Sequence, residues 1–322
     1  MNKINRIGLG TFPFAGVFGA IDKHVVEKII LQFLDYGGRL IHVAPVYGFG
    51  KVEVDVGNIL KKIPRDRYCI KTCCGYMLDG EKPRVSAKYN DILKSCEESL
   101  RNLHTDYIDI YMLHVPDPNT SFDETATALT ELKKLGMVKE LCVSNVSLEQ
   151  LIGYNLNENI SYIQNRMSLI NQSLNEEMYA YCASHEIKIV AYQAIERGLL
   201  TNRILSDFIL SEDDLRTKKP EFDINIINEI RRFVKMTLLP VALELNIPIA
   251  ALVIKWLFDS QKADFVLYGI SKMQYFTDVL TVDNTPVLDY DIIKQINEGY
   301  SSFEKYISQK HNISVRRFIG VS

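Results

Sequence analysis

The chain has no run of roughly 18 consecutive apolar residues, the length that a transmembrane helix needs. It has no dense cluster of lysine and arginine, and its formal net charge is -3, so nothing in it predicts a nucleic-acid-binding surface. The first ten residues, MNKINRIGLG, contain no apolar core of the kind that a secretory signal has. These absences predict a cytoplasmic protein that binds neither a membrane nor nucleic acid.

The six cysteines include no C-x-x-C pair, and several lie inside apolar runs, which is typical of buried small side chains. Cys73 and Cys74 follow Lys71 closely, which makes one of them a candidate for the border of a pocket. The chain has no H-E-x-x-H or G-x-S-x-G motif, and no cysteine and histidine cluster has metal-ligand spacing. We therefore expect no metal site and no serine-hydrolase mechanism.

The closest approach to a dinucleotide fingerprint is GLGTFP at residues 8–13, where proline takes the place of the third glycine and no helix follows directly. The segment GFGK at residues 48–51 lacks the spacing of a phosphate-binding P-loop. A Rossmann site is thus disfavoured.

Short apolar or β-branched segments alternate along the chain with longer stretches of helical period. The predicted strands are residues 6–10, 39–43, 68–72, 107–114, 139–144, 160–164, 188–192 and 264–269. Helices are predicted at about 22–36, 51–62, 86–103, 122–136, 147–154 and 174–185. Eight βα units favour closure, so the predicted fold is α/β, a single (β/α)8 TIM barrel.

The interval between the seventh and eighth predicted strands is too long for one crossover. It predicts an insertion with a loop at 196–223 and helices near 224–246 and 248–261, lying over the active face. Because no linker-like segment interrupts the chain, residues 1–322 are expected to form one domain.

Three polar side chains stand at or just past the ends of predicted strands: Tyr47, Lys71 and His114. In a parallel barrel those ends open on one face, so the three residues should converge there. A phenol, an ammonium and an imidazole together are suited to proton transfer. Taken singly, each has a plainer structural interpretation, such as a wall tyrosine or a hydrogen-bonded histidine.

The order and spacing of several segments resemble the aldo-keto reductases, and the resemblance spans almost the whole chain. The segments are GLGTF at 8–12, APVYGFG at 44–50, IKT at 70–72, DYIDIYMLH at 106–114, VSN at 143–145 and GLL at 198–200. The stretch from PRDRYCIKT to KYNDILKSCEESLRNLHTDYIDI looks most like the branch of sugar dehydrogenases that oxidise aldoses. The resemblance implies a barrel that binds a nicotinamide cofactor and has a role in carbohydrate metabolism.

The resemblance assigns Tyr47 as the acid that protonates a carbonyl oxygen when hydride arrives, or as the base in reverse. Its intrinsic pKa of about 10 is high for this task, and the neighbouring Lys71 is expected to lower it. His114 is expected to orient the substrate oxygen. Tyr192 matches the aromatic residue on which the nicotinamide stacks.

The resemblance also implies three carboxamide-binding residues: Ser144, Asn145 and Gln164. Gly269 keeps a glycine where the cofactor approaches closely, and a helix starting after Ser271 is expected to point its amino terminus at a phosphate, with Lys272 beside it. Tyr275 and Val279 occupy positions where the family often has arginine and asparagine, which weakens the case for NADP(H). The choice between NADP(H) and NAD(H) stays open.

His42 is the main departure from the family pattern, because the family has an aspartate before the APVYG-like segment. That aspartate would pair with Lys71, whereas a neutral imidazole leaves a buried ammonium without its partner. The substitution either retunes the site, with His42 as a further catalytic residue, or weakens it.

Two classes of function follow. The first is an oxidoreductase that moves hydride between a nicotinamide cofactor and a carbonyl or sugar hydroxyl. The second is a barrel with degenerate or redox-neutral chemistry that serves binding, regulation or proton transfer. The partner is expected to be a small molecule and the chain is assumed to be a monomer. Substrate choice should lie in the loops at 11–20, 75–85, 115–121 and 196–223.

Overall fold

The computed structural model describes residues 6–79, 82–206 and 209–320. Its strands are β1 Ile7–Gly10, β2 Leu40–His42, β3 Cys69–Met77, β4 Arg84–Ser86, β5 Ile108–Leu113, β6 Val138–Ser144, β7 Ile160–Arg166, β8 Lys188–Tyr192 and β9 Phe265–Gly269. All except β4 are parallel and run in the order β2-β1-β9-β8-β7-β6-β5-β3, with β2 pairing to β3 to close the ring. The predicted TIM barrel is confirmed.

Helices surround the barrel. They are α1 Lys23–Asp35, α2 Lys51–Leu60, α3 Tyr89–Leu103, α4 Phe122–Lys134, α5 Leu148–Tyr154, α6 Glu176–Ser184, α7 Ile224–Phe233, α8 Leu239–Glu244, α9 Ile249–Asp259, α10 Phe276–Asn284, α11 Tyr290–His311 and α12 Val315–Phe318. The predicted helix at 224–246 is divided by a π-helical turn, Val234–Leu238. Pro240, in the first turn of α8, has no N–H to continue the regular hydrogen-bond ladder there.

Helix α1 shows how the sequence determines where a helix begins, where it ends and which face it buries. Its buried positions recur three and four residues apart and form one apolar face: Val26, Ile29, Ile30, Phe33 and Leu34. Asp22 caps its amino terminus by accepting a hydrogen bond from the backbone N–H of His24. Gly37, with φ of 87°, turns the chain back toward the barrel at the other end.

The predicted insertion lies between β8 and β9, the seventh and eighth strands of the barrel. Its first part is not an open loop but a series of short 3₁₀ turns: Glu196–Gly198, Asn202–Leu205, Leu215–Lys218 and Pro220–Phe222. Helices α7, α8 and α9 follow. Residues 207–208 of the predicted loop lie outside the described residues.

A hairpin replaces part of the predicted loop at 75–85. Strand β3 extends to Met77 and pairs antiparallel with β4, in a register that sets Gly75 opposite Ser86. The helix predicted from residue 86 therefore begins only at Tyr89. Strand β4 was missed because it is short and largely exposed, so it has no apolar run. Residues 80–81 lie outside the described part.

The long helix α11 was not predicted, although it packs three buried side chains against the rest of the protein: Ile296, Phe303 and Ile307. In the described ranges no single helix is long and apolar enough to cross a membrane. One pair of helices, Ile224–Glu244 and Ile249–Asp259, reaches that length and composition together, and it is bent by 86° at its break.

Candidate active site

The carboxyl ends of the parallel strands open into a cavity of about 950 Å³. Eight of the eleven predicted site residues line it: His42, Tyr47, His114, Gln164, Tyr192, Gly269, Ser271 and Lys272. The strand register explains this convergence, since Gly10 pairs with both His42 and Gly269 on neighbouring strands. Lys71, Ser144 and Asn145 do not contribute to the lining that the described residues form.

Tyr47 and His42 form a hydrogen-bonded pair on the cavity wall. The phenol oxygen of Tyr47 lies 3.4 Å from Nε2 of His42, and Nδ1 of His42 lies 3.3 Å from the backbone carbonyl of Lys71. Because a carbonyl oxygen only accepts hydrogen bonds, Nδ1 must carry the hydrogen. Nε2 of His42 is therefore an acceptor, and the Tyr47 hydroxyl donates to it.

Burial controls the charges of the two imidazoles. Desolvation, followed by the nearby Lys71 and His114, holds the pKa of His42 well below its usual value. Burial and then the charge of Lys71 lower the pKa of His114 to about 4. Both side chains are thus neutral near pH 7, so His42 supplies no positive charge to the site.

The pKa of Tyr47 shifts in the direction opposite to the sequence-based prediction. Burial is the main cause, and together with Cys73 and Tyr192 it raises the pKa above the usual value. The predicted lowering of this pKa by Lys71 is wrong for the protein alone, because every cause of the shift, led by removal of the phenol from water, raises the pKa. Tyr47 is therefore a protonated phenol, which suits a proton donor.

Lys71 lies under the cavity floor with no exposed surface. Its Nζ donates to Oε1 of Gln164 across 2.5 Å. The lysine thus does have a partner, which the sequence did not indicate, but that partner is a neutral amide and not a carboxylate. Gln164, predicted to bind a carboxamide, is engaged with Lys71 through its oxygen and also lines the cavity.

The predicted carboxamide-binding residues hold one another in place. The Ser144 hydroxyl donates to the backbone carbonyl of Gln164 at 2.7 Å, and Ser144 is fully buried. Asn145 has a left-handed backbone and donates to the carbonyl of His114 at 3.0 Å. The Tyr192 hydroxyl donates to Oδ1 of Asn145 at 2.7 Å. This chain of contacts ties the ends of β6, β7 and β8 together.

Gly269 is the last residue of β9, and Ser271 and Lys272 follow it and line the cavity as the sequence suggested. The helix expected directly after Ser271 starts later, because a 3₁₀ turn at Met273–Tyr275 precedes α10. Asp278 also lines the cavity and accepts a hydrogen bond of 2.8 Å from the Tyr268 hydroxyl. Burial raises the pKa of Asp278.

Sequence reasoning missed the wall that the insertion forms beside Tyr192. Gln193, Glu196 and Arg197 all have left-handed backbone angles, which no sequence signal announces. Arg197 pairs with the buried Glu221, and Glu196 accepts hydrogen bonds from Arg166 and Ser168. The side chain of Gln193 presents a buried Oε1 without a donor among the described residues.

The insertion covers the cavity by docking on the loop after β1. The backbone N–H of Leu215 donates to the carbonyl of Val17 at 2.8 Å, and the guanidinium of Arg216 lies 4.8 Å from the ring of Phe18. Residues 209–211 of the same segment line the cavity. For these residues of the insertion, the predicted position over the active face is confirmed.

The desolvation of His114, which is partly buried in the cavity wall, makes stability depend on pH. The unfolded chain protonates this imidazole near pH 6.5, but the folded protein does so only near pH 4. The unfolded state therefore binds more protons between these values, and the stability that His114 contributes is complete above pH 6.5 and lost toward pH 4.

Urea unfolding of the wild type and of His114→Gln at pH 7 and pH 5 measures this effect. Between pH 7 and pH 5, the free energy of unfolding of the wild type should fall by more than that of His114→Gln. Comparing with this variant cancels the carboxylates that titrate in the same range. A difference that does not change with pH would contradict the desolvated, neutral state of His114.

Comparisons with known proteins agree with this geometry. A sequence profile described as the aldo/keto reductase family matches residues 6–300. The aldo-keto reductase YhdN of Bacillus subtilis is 30% identical over 279 residues, which cover 84% of this chain and 82% of that protein. An NADH-specific methylglyoxal reductase of Escherichia coli is 32% identical over 223 residues, or 64% of this chain and 68% of that protein.

Among solved structures, a glycerol dehydrogenase of Gluconobacter oxydans superposes with a TM-score of 0.81 at 27% sequence identity. The match covers 96% of this chain and 93% of that one.

Proposed function

Because this chain belongs to the aldo/keto reductase family, we propose that it transfers hydride between a nicotinamide cofactor and a carbonyl or hydroxyl group, with Tyr47 as the proton donor or acceptor. The observation that supports this most is the placement of Tyr47, His42 and His114 together on the wall of one large cavity. A phenol and a neutral imidazole at hydrogen-bonding reach of one substrate oxygen are the groups that carbonyl reduction needs.

In the proposed reduction, a nicotinamide cofactor held in the cavity would supply the hydride for the carbonyl carbon. Tyr47 gives its phenolic proton to the oxygen, and His114 donates a hydrogen bond that orients the same oxygen. Lys71, below the floor, stabilises the phenolate that Tyr47 becomes. Since the resting Tyr47 is protonated, it is ready to donate a proton in the direction of reduction without a prior protonation step.

The cavity residues fit a nicotinamide cofactor. The orphaned Oε1 of Gln193 needs a donor, which a ribose hydroxyl or a carboxamide provides. Tyr192 offers an aromatic ring, and a Cβ at Gly269 would lie 3.1 Å from Cγ of Pro13, so only glycine leaves this passage open. Lys272 is an exposed cation at the same end.

We propose NADH as the preferred cofactor. Asp278 places a carboxylate on the wall near Gly269, where it would repel a 2′-phosphate, although Lys272 acts in the opposite sense. The E. coli relative is named as NADH-specific, which supports the same choice. Short carbonyl compounds and the corresponding alcohols are the proposed substrates, since the name of one relative refers to methylglyoxal and that of a similar solved structure to glycerol.

Calorimetric titration with NADH and, separately, NADPH tests this proposal. We expect saturable binding at micromolar strength, tighter for NADH, followed by turnover of methylglyoxal in a substrate screen. Folding of the sample is checked by circular dichroism. A folded protein that binds neither cofactor would sink the oxidoreductase proposal.

A barrel without efficient hydride chemistry is the second candidate. The neutral His42 favours it, because an imidazole without charge lacks the negative charge that the family pattern would place beside Lys71. Cofactor binding without turnover of any carbonyl would support this candidate. Turnover without net oxidation of the cofactor would instead indicate redox-neutral proton transfer at Tyr47.

A further inference from the structure

Cys73 contacts the imidazole that faces the substrate position. It lies on β3 two residues after Lys71, with Met112 opposite it on β5, and its side chain is 1% exposed. Its Sγ lies 3.3 Å from Nδ1 of His114, the residue that directly follows β5. The proposed mechanism above does not use this thiol.

The chemistry of the two groups determines which one donates. Burial raises the pKa of the Cys73 thiol well above its usual value, so the group is an S–H and not a thiolate. The imidazole is neutral and carries one hydrogen. A neutral imidazole nitrogen is a stronger acceptor than a thiol sulfur, which is only a weak one, so S–H to Nδ1 is the favoured direction.

This direction fixes the tautomer of His114. If Nδ1 accepts, then Nε2 must carry the hydrogen. Nδ1 points to the buried thiol, whereas the ring forms part of the cavity wall and lies edge-on to Tyr47 and Tyr76. Nε2 is thus the nitrogen left for a ligand in the cavity. The opposite tautomer would present a lone pair there, which would repel a carbonyl oxygen.

We propose that Cys73 is a positioning residue, whose S–H holds His114 in the Nε2–H tautomer so that the imidazole donates to the oxygen of a carbonyl substrate. The part that concerns substrate rests on the proposed reductase function. The part that concerns the tautomer is a property of the protein alone and is tested separately.

The tautomer is measured on the free protein by ¹⁵N NMR of the histidine side chains. The chain has six histidines, and the signal of His114 is identified by its loss in His114→Gln. We expect Nε2–H in the wild type and in Cys73→Ser, where a hydroxyl replaces the thiol, and a rise of the Nδ1–H form in Cys73→Ala. Nδ1–H in the wild type, or an unchanged tautomer in Cys73→Ala, would overturn the proposal.

Infrared spectroscopy measures the strength of the S–H bond of the thiol directly. The S–H stretching band of Cys73, obtained as the difference between wild type and Cys73→Ser, should lie at lower frequency than that of Cys74, because a donating S–H bond weakens. Cys74 is the matched comparison, since it is the next residue on β3 and its Sγ lies 3.7 Å from the carbonyl of Met112. Equal frequencies would show that Cys73 does not donate.

Turnover is the third measurement. The loss of one such hydrogen bond should lower kcat for a carbonyl substrate about fivefold in Cys73→Ala, with restoration in Cys73→Ser and little change in KM for the cofactor. Cys74→Ala controls for the loss of a buried thiol from the same strand. If no carbonyl is turned over, the reductase function fails while the NMR and infrared results still decide whether Cys73 fixes the tautomer.

Discussion

Replacing Tyr47 with phenylalanine should lower the turnover of a carbonyl substrate by about 10²–10⁴-fold, the range typical of removing a general acid. The phenol is the proposed proton donor, and its hydroxyl is held at 3.4 Å from Nε2 of His42, from which it can rotate toward a substrate oxygen. The ring remains, so its edge-on contact with Phe12, at 5.2 Å between centroids, should keep the local packing intact. The measurement is steady-state reduction of methylglyoxal with NADH.

Two comparisons separate chemistry from binding in the Tyr47→Phe experiment. The dissociation constant for NADH should stay close to the wild-type value, because in the proposed mechanism the hydroxyl contacts the substrate oxygen and not the cofactor. Tyr76→Phe is the control for loss of another phenol from the cavity, and it should have a small effect on kcat. Equal losses in the two variants, or unchanged turnover in Tyr47→Phe, would rule out the assigned role of Tyr47.

The convergence of Tyr47 and His114 on one cavity could be predicted because strand periodicity places residues at strand ends, and the ends of parallel strands share one face. Lys71, the third residue expected there, lies buried outside the cavity lining that the described residues form. An error of one or two residues in a predicted strand boundary does not move the end of that strand to the opposite face of the barrel. The fold and the position of the site therefore followed from local patterns, although the antiparallel hairpin of β3 with β4 and the helix α11 did not.

Contacts between distant parts of the chain could not be predicted in the same way. Lys71 and Gln164 are 93 residues apart, and nothing near either one indicates their hydrogen bond. The same holds for Cys73 and His114, which are 41 residues apart. The direction of the Tyr47 pKa shift is set mainly by burial, and burial depends on the packed structure rather than on neighbouring positions in the sequence.

Replacing His42 with aspartate should raise turnover of a carbonyl substrate, by about tenfold if the free energy of the Tyr47 phenolate improves by one pKa unit. In the wild-type protein, Lys71 has two neutral neighbours, Gln164 and His42. In the proposed mechanism, Lys71 stabilises the anion that forms on Tyr47. A carboxylate at position 42 would give the buried ammonium the charged partner that the family pattern places there. It would also remove the Nε2 acceptor that holds the Tyr47 hydroxyl in the resting protein.

His42→Asn separates charge from shape, because asparagine has nearly the size of aspartate but no charge. A gain in His42→Asp alone would show that the missing negative charge limits the reaction. An equal gain in both variants would show instead that the imidazole slows the reaction by accepting the hydrogen bond of the Tyr47 hydroxyl.

Gln164→Glu gives Lys71 a carboxylate partner at the position of its present amide partner and leaves His42 in place. Its kcat should also rise if the charge on Lys71 is limiting, even if NADH binds more weakly. Lower kcat in both His42 variants would mean that the reaction requires the imidazole itself, with the Tyr47–His42 pair replacing the carboxylate and lysine of the family pattern.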